Sequence, residues 1–280
     1  MFYKEIEFLK EWIERDTDFV DIASYGLRKT SAEAEVLLKS NFVVISGCEV
    51  LQSLLHTYGI EGEFYYENGE VIRNDGGIKR VAILKGNAYS LLTVERTMLN
   101  VLSMMSGIAT KTYRIVKKIE ESSLSTRVSA TRKTIPGVGY LQKLAVFHGG
   151  GDTHRWNLSD TVMLKDNHIK LYGGIKRAVE EAKKYTSFIR KIECEVKDEE
   201  EALIALEAGV DIIMLDNFKA EDAKKTAAKL KDEKEDIVVE VSGGIGETNF
   251  MDYLSKDIDV ISMGSLTTEI EYRDFSMEII

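Results

Sequence analysis

Along the second half of the chain, apolar runs recur that each end on charged, amide or glycine residues: VSATRKT (128–134), VMLKDNH (162–168), KIECEV (191–196), DIIMLDN (211–217), IVVEVSGG (237–244) and DVISMG (259–264). Continuous β-branched runs suit parallel strands buried on both faces, here near 128–132, 161–165, 189–196, 211–215, 237–242 and 259–263. The stretches between them read as helices near 138–148, 173–186, 198–208, 219–231 and 246–254, which return the chain to the same end of the sheet. The pattern predicts an α/β unit of about six parallel strands, an open barrel with fewer than the eight strands of a closed one. All six polar tips then meet at one end, where such barrels build their sites.

The first half lacks this regular alternation. Phe2, Ile6, Leu9, Trp12 and Ile13 predict an opening helix. EAEVLLKSNFVVIS (33–46) has the content of paired strands, Cys48–Tyr58 reads as a helix ended by Gly59, and Asn68-Gly69 and Gly86-Asn87 are hairpin signals. This half reads as an α+β unit, a sheet with helices on one face. From Leu91 to about Glu121 the pattern turns helical, with a break expected at Ser106-Gly107. The helix LLTVERTMLNVLSMM is apolar on most sides except at Glu95, Arg96 and Asn100, so Arg96 needs a partner, either the adjacent Glu95 or something outside the helix. The closing TEIEYRDFSMEII alternates like a strand that returns to the first unit. The expected organisation is an amino-terminal domain of 1–103 joined by 266–280, and a barrel domain of 104–265.

Charge narrows the partners. Of 280 residues, 47 are Asp or Glu and 37 are Lys or Arg, for a formal net charge of −10, which opposes binding to nucleic acid. The opening MFYKEIEFLKEWIERD is amphipathic rather than a basic stretch before an apolar core, and no spanning segment stands out, so a cytoplasmic protein without a membrane partner is expected. Two cysteines, Cys48 and Cys194, are too few for a disulfide framework and read as buried apolar residues. The single proline, Pro136, fixes the backbone beside Arg132-Lys133.

The strand tips carry the candidate chemistry. Arg132-Lys133 ends the first barrel strand, His154-Arg155 follows the glycine turn 149–151, and Lys165-Asp166-Asn167-His168 ends the second strand. Cations gathered from separate segments make an anion site, although each alone also fits a surface ion pair. The three glycines fit a close ligand approach or a tight turn. His154 and His168 read as substrate contacts, because no metal-ligand spacing surrounds them, and His56 and His148 as structural. Glu193 and Glu195, two apart, face the same way; inward, they and Asp216 suit a hydrated magnesium ion, the alternative being pairing with Lys165 or Lys191. Lys165 as a Schiff-base nucleophile is opposed by the surrounding charges. Ser242-Gly243-Gly244 and Met263-Gly264-Ser265, each expected to lead into a helix, fit phosphate cradles.

These residues resemble a known family, the quinolinate phosphoribosyltransferases. The matching stretches are ERTMLNVLSMMSGIAT (95–110), ATRKTIPG (130–137), LQKLAVFHGGGDTHRWNLSDTVMLKDNHI (141–169), IECEV (192–196), EAGVDIIMLDN (207–217), VEVSGGI (239–245) and DVISMGSLT (259–267). The resemblance implies an amino-terminal α/β sandwich plus an open α/β barrel, in a homodimer, or a higher homo-oligomer built on it, whose neighbouring subunits complete each other's sites. It implies that Arg96 crosses to the neighbour and that Arg132, His154, Arg155 and Lys165 hold the two carboxylates of quinolinate. Lys133, Glu195, Asp216, Ser242, Gly243 and Gly264 would serve phosphoribosyl pyrophosphate, with Mg2+ on Glu195 and Asp216, and Thr131 and Gly244 would also bind substrate. The catalytic set would be Lys133, Lys165, Glu195 and Asp216. Two places depart from the family pattern: VDIAS (20–24) stands where a GD-(I/L)-T-like stretch is usual, and Thr268 where a histidine commonly follows SLT. Rival readings are a transferase of the same fold, of the type encoded with molybdate transport, and a noncatalytic phosphosugar-binding protein; the complete KDNHI favours quinolinate over the first.

Overall fold

The structure, a computed structural model, describes residues 2–280 and divides into two compact units. The first comprises residues up to Tyr113, Thr134–Gly150 and Glu269–Ile280. It contains helices α1 (Tyr3–Thr17) and α2 (Cys48–Thr57) and strands β1 (Ser31–Leu38), β2 (Phe42–Val44), β3 (Glu61–Phe64), β4 (Val71–Arg73) and β5 (Lys79–Asn87). The helix α3 (Ala88–Glu121) runs from this unit into the second, and α4 (Gly139–His148) belongs to the first.

The second unit, Arg114–Lys133 and Gly151–Thr268, alternates strands and helices. Its elements are β6 (Arg127–Ser129), β7 (Val162–Leu164), α5 (Asp166–Tyr172), α6 (Ile175–Tyr185), β8 (Ile192–Val196), α7 (Glu199–Ala208), β9 (Ile212–Asp216), α8 (Ala220–Glu233), β10 (Val238–Ser242), β11 (Val260–Ser262) and α9 (Ser265–Thr268). The chain ends in β12 (Phe275–Ile279), which pairs antiparallel with β1 in a sheet of order β12-β1-β5-β3.

The six strands of the second unit form one parallel sheet, ordered β6-β11-β10-β9-β8-β7. This is the expected open α/β architecture. Segment 151–153 continues it beyond β6: the Asp152 N–H donates to Val128 O and the Ala130 N–H to Asp152 O, both at 2.8 Å. Strand alternation divides the side chains. Cys194, Ile213, Leu215 and Val239 are 0 % exposed on one face, while Glu193, Glu195, Met214, Asp216, Glu240 and Ser242 occupy the other.

Several local expectations change. The sequence pattern 33–46 forms two strands that do not pair with each other: β1 lies in the four-stranded sheet and β2 pairs with β4. Gly86-Asn87 is no hairpin turn, because β5 runs through it directly into α3. Nor does α3 break at Ser106-Gly107. Gly107 sits in mid-helix where a Cβ would overlap the carbonyl oxygen of Glu271, so the glycine permits a close approach of the returning carboxyl-terminal segment. The helix expected at 246–254 shrinks to a 3-10 turn at Phe250–Tyr253.

Both cysteines are free and buried, as expected, and burial pushes each thiol up to about 12. No helix among the described residues is long and apolar enough to cross a membrane.

His148 is structural, as expected. It ends α4 with Nδ1 2.7 Å from the hydroxyl of the fully buried Ser46, and burial lowers its pKa to about 4 from an ordinary 6.5. The folded state therefore binds this proton more weakly than the unfolded chain, so stability falls as pH drops from 6.5 towards 4. Screened at a partly buried site, the effect is on the order of 1–2 kcal/mol. His148→Gln should flatten that part of the pH dependence, read as a smaller drop in melting temperature between pH 7 and pH 4.5 than in the wild type. An unchanged pH slope would contradict it.

Candidate active site

The strand tips of the second unit converge on a cavity of 490 Å³. The chain beside β6 supplies Thr131, Arg132 and Lys133; the crossing from 152 to β7 supplies His154 and Arg155; and Lys165 stands at the end of β7. Glu195 comes from β8, Asp216 and Asn217 from β9, and Ser242, Gly243 and Gly244 from the end of β10. Eleven residues expected at the site from the sequence thus line one cavity, with Asn217 beside them. Gly264 sits beside that lining: a Cβ there would lie 2.9 Å from Lys133 Cδ and 3.6 Å from Thr131 Oγ1. Arg96 is not part of it. It is exposed on α3 in the first unit and, among the described residues, makes no ion pair or hydrogen bond, so the local Glu95 pairing does not occur.

Charge is segregated across the cavity. Arg132 and Arg155 are close enough to repel, and the Arg155 pKa falls, first because of burial and then because of Arg132, with Glu193 and Asp160 opposing. Arg155 Nη1 donates to Thr161 O at 3.3 Å. On the other side burial raises the Asp216 pKa, and the Glu195 charge adds to that rise. Lys165 joins the two sides, its Nζ donating to Glu195 in a close ion pair. A lysine so engaged differs from the desolvated amine a Schiff base requires.

Local backbone geometry explains the tips. Lys165 caps α5, and its N–H donates to His168 Nδ1 at 3.0 Å. His168, expected to touch substrate, is exposed and uses its Nδ1 for that bond at the start of the helix. Gly243 has φ +92°, and a Cβ there would overlap the Asn217 side chain and lie 2.7 Å from the Asn217 nitrogen. Asn217 itself adopts φ +58° and donates through Nδ2 to Asp216 Oδ2 at 2.5 Å. With only a 3-10 turn after it, the SGG segment offers turn amides and no helix end, a correction to the expected cradle. The α9 turn after Gly264 is four residues long, and the Thr268 hydroxyl bonds back to Gly264 O at 3.1 Å. Of the glycine turn, Gly149 is needed for packing rather than for a ligand, since a Cβ would lie 2.5 Å from Ala109 O on α3.

Beneath the cavity lies a group that the sequence reading did not assemble. His154 adopts φ +52° and directs Nε2 towards Glu240 Oε1 at 3.3 Å and Glu193 Oε2 at 3.6 Å, while the Arg155 N–H donates to its Nδ1 at 2.8 Å. Glu193 and Glu240 are buried. Burial lowers the His154 pKa, but the hydrogen bonds and charges of the two carboxylates outweigh it and push it up to about 10. Burial likewise raises the pKa of Glu193. Glu240 is not at a strand end and so carries no signal in the tip pattern; it lies two residues before Ser242 on the same inward face, as Glu193 lies two before Glu195.

Comparisons with known proteins agree with this arrangement. The quinolinate phosphoribosyl transferase models match along nearly the whole chain, the N-terminal domain over residues 17–106 and the C-terminal domain over 108–278. The chain belongs to the quinolinate phosphoribosyltransferase family. It is 40% identical to a probable nicotinate-nucleotide pyrophosphorylase [carboxylating] of Methanocaldococcus jannaschii, covering 98% of this chain and 97% of that one. It is 34% identical to the nicotinate-nucleotide pyrophosphorylase [carboxylating] of Dictyostelium discoideum, over 99% of this chain and 96% of that one. The solved nicotinate-nucleotide pyrophosphorylase from Francisella tularensis superposes with a TM-score of 0.90 at 32% identity, covering 100% of this chain and 97% of that one. Family membership thus agrees with the fold expected from the strand pattern.

Proposed function

We propose that the chain is a quinolinate phosphoribosyltransferase, joining the ring nitrogen of quinolinate to the ribose of phosphoribosyl pyrophosphate and releasing pyrophosphate and carbon dioxide. The product is nicotinate mononucleotide, a step of de novo NAD biosynthesis. The observation that carries this reading is the division of one cavity between arginines at one wall and the Glu195–Asp216 carboxylates at the other, with Lys165 spanning them.

Arg132, Arg155 and Lys165, with His154 beneath them, hold a planar dicarboxylate, for which arginine forks are well suited. Thr131, Lys133 and the turns at Ser242-Gly243-Gly244 and Gly264 take the phosphates of the donor. Loss of pyrophosphate builds positive charge on the ribose, and Glu195 and Asp216 face that charge from a fixed position. Holding the pyridine nitrogen against the anomeric carbon is a matter of orientation. Once alkylated, the ring is cationic; the carbon–carboxylate bond breaks with its electron pair left on the ring carbon beside the positive nitrogen, and that carbon then takes a proton from water to give the product.

Glu195 and Asp216 fit a magnesium ion. Two neighbouring carboxylates face an open cavity, and burial followed by the Glu195 charge raises the Asp216 pKa, a cost that a divalent cation between them relieves. Bound there, the ion supplies charge neutralisation for the pyrophosphate leaving group. Arg96, exposed and unpaired on α3, fits a role at the site of a second copy in a homodimer. The cytoplasm is the compartment that suits two unpaired buried cysteines.

The test is direct. Incubation with quinolinate, phosphoribosyl pyrophosphate and magnesium should yield nicotinate mononucleotide and carbon dioxide in equal amounts. Turnover with nicotinate but not quinolinate would point to the rival transferase, and turnover with neither to a binding protein.

A further inference from the structure

The turn after β11 contains a hydroxyl for which the reaction above has no direct use. Thr267, in α9, is 0 % exposed and does not line the cavity. Its Oγ1 lies 2.7 Å from Lys133 O and 3.2 Å from Gly264 O. A hydroxyl has one proton to donate, and the two carbonyls do not need it equally. Gly264 O already accepts the N–H groups of Thr267 and Thr268 and the Thr268 hydroxyl, each at 3.1 Å. The shorter contact, to Lys133 O, therefore takes the proton.

Lys133 is held from its other side as well. Its N–H donates to Thr131 Oγ1 at 3.1 Å, so both backbone polar groups of this residue meet a threonine hydroxyl. Its side-chain stem passes over Gly264, where a Cβ would lie 2.9 Å from Lys133 Cδ. The lysine itself is exposed and stands beyond the end of β6. Such a side chain has much rotamer freedom to lose on binding, so a fixed starting direction at the backbone matters.

Strand pairing shows why a clamp is needed there. β6 and β11 are parallel neighbours, and their ladder ends where the Met263 N–H donates to Ser129 O at 2.9 Å. Four residues further along each segment stand Lys133 and Thr267, past the end of both strands, and the hydroxyl joins the two segments again. Threonine suits the task, because branching at Cβ restricts χ1 and its hydroxyl can sit near the carbonyl three residues back, here Gly264.

We propose that Thr267 is a positioning residue for Lys133. Its buried hydroxyl ties the tip of β11 to the tip of β6 and holds the lysine beside the Gly264 turn, so that ammonium and turn meet the phosphates of one substrate together. The kinetic consequence rests on the phosphoribosyltransferase reading given above, whereas the clamp does not.

Two measurements test it. Thr267→Val keeps the shape and removes the hydroxyl, and the KM for phosphoribosyl pyrophosphate should rise about tenfold while that for quinolinate stays within about twofold, as fits the loss of one hydrogen bond. Thr267→Ser restores the donor and should bring the first constant back to within about threefold of the wild type. Equal rises in both KM values, a rise in neither, or a serine variant as impaired as the valine one would overturn the proposal. Hydrogen exchange in the substrate-free protein is the second arm. The Lys133 amide should exchange at least about tenfold more slowly than an unstructured amide in the wild type and in Thr267→Ser, and lose most of that protection in Thr267→Val. An unprotected Lys133 amide in the wild type overturns the clamp whether or not Thr267→Val folds and whatever substrate the enzyme uses. Protection that depends on the hydroxyl, in a protein that does not turn over phosphoribosyl pyrophosphate, would support the clamp and sink the functional reading instead.

Discussion

Arg155→Ala is expected to raise the KM for quinolinate by two to three orders of magnitude and to leave the KM for phosphoribosyl pyrophosphate within about twofold. The guanidinium is partly desolvated: burial is the first cause of its lowered pKa, and the neighbouring Arg132 charge adds to it. An anion placed between these two arginines relieves their repulsion as well as gaining hydrogen bonds. Truncating one partner of a buried, hydrogen-bonded charge pair costs roughly 2–5 kcal/mol, and each 1.4 kcal/mol is a factor of ten in affinity. Initial rates with each substrate varied in turn separate the two constants. A matching loss for both substrates would mean that Arg155 supports the whole cavity rather than its acid-binding wall.

That selectivity depends on where charges sit along the strands, and most of this was legible in the sequence. Parallel strands buried on both faces need continuous apolar runs, so a polar residue at the end of such a run marks the strand tip. This is why the sequence alone brings Lys165, Glu195, Asp216 and Ser242 together. What the pattern could not show was depth. Glu193 and Glu240 lie inside the apolar runs, each two residues before a tip; the register sets Glu240 level with Met214 and Glu195 but Glu193 level with Ile212, and the two carboxylates meet only through their common neighbour His154.

Glycine is a poorer guide in this chain, for a physical reason. Gly107 within α3 and Gly86 within β5 looked like breaks because glycine weakens regular elements. At both positions the tertiary structure needs the missing Cβ. At Gly107 it would strike Glu271 O, and at Gly86 it would lie 3.1 Å from Ile60 Cγ1 and 3.3 Å from Ile60 Cα. Local propensity gives way where another segment must pass closely, and nothing local in the sequence names that segment. The same limit applied to 246–254, where apolar content sufficed for a helix but the chain closes as a short 3-10 turn.

Arg96 poses the remaining question, because an arginine on a largely apolar helix is exposed and, among the described residues, unpaired. If it completes the cavity of a second copy, two inactive variants should rescue each other. In a mixture of Arg96→Ala and Lys133→Ala chains, each hybrid dimer contains one site with an intact barrel facing an intact Arg96, and one site lacking both residues. Random exchange makes about half of the dimers hybrid, each with one working site, so about a quarter of wild-type activity should return. Each variant alone should remain at least a hundredfold below the wild type, since each removes a charged contact from a desolvated site. Mixing after mild dissociation, with the hybrid fraction counted by native mass spectrometry from differently tagged chains, makes the yield quantitative. Hybrids that form in the expected proportion yet stay inactive would place Arg96 at the site of its own chain, or at none.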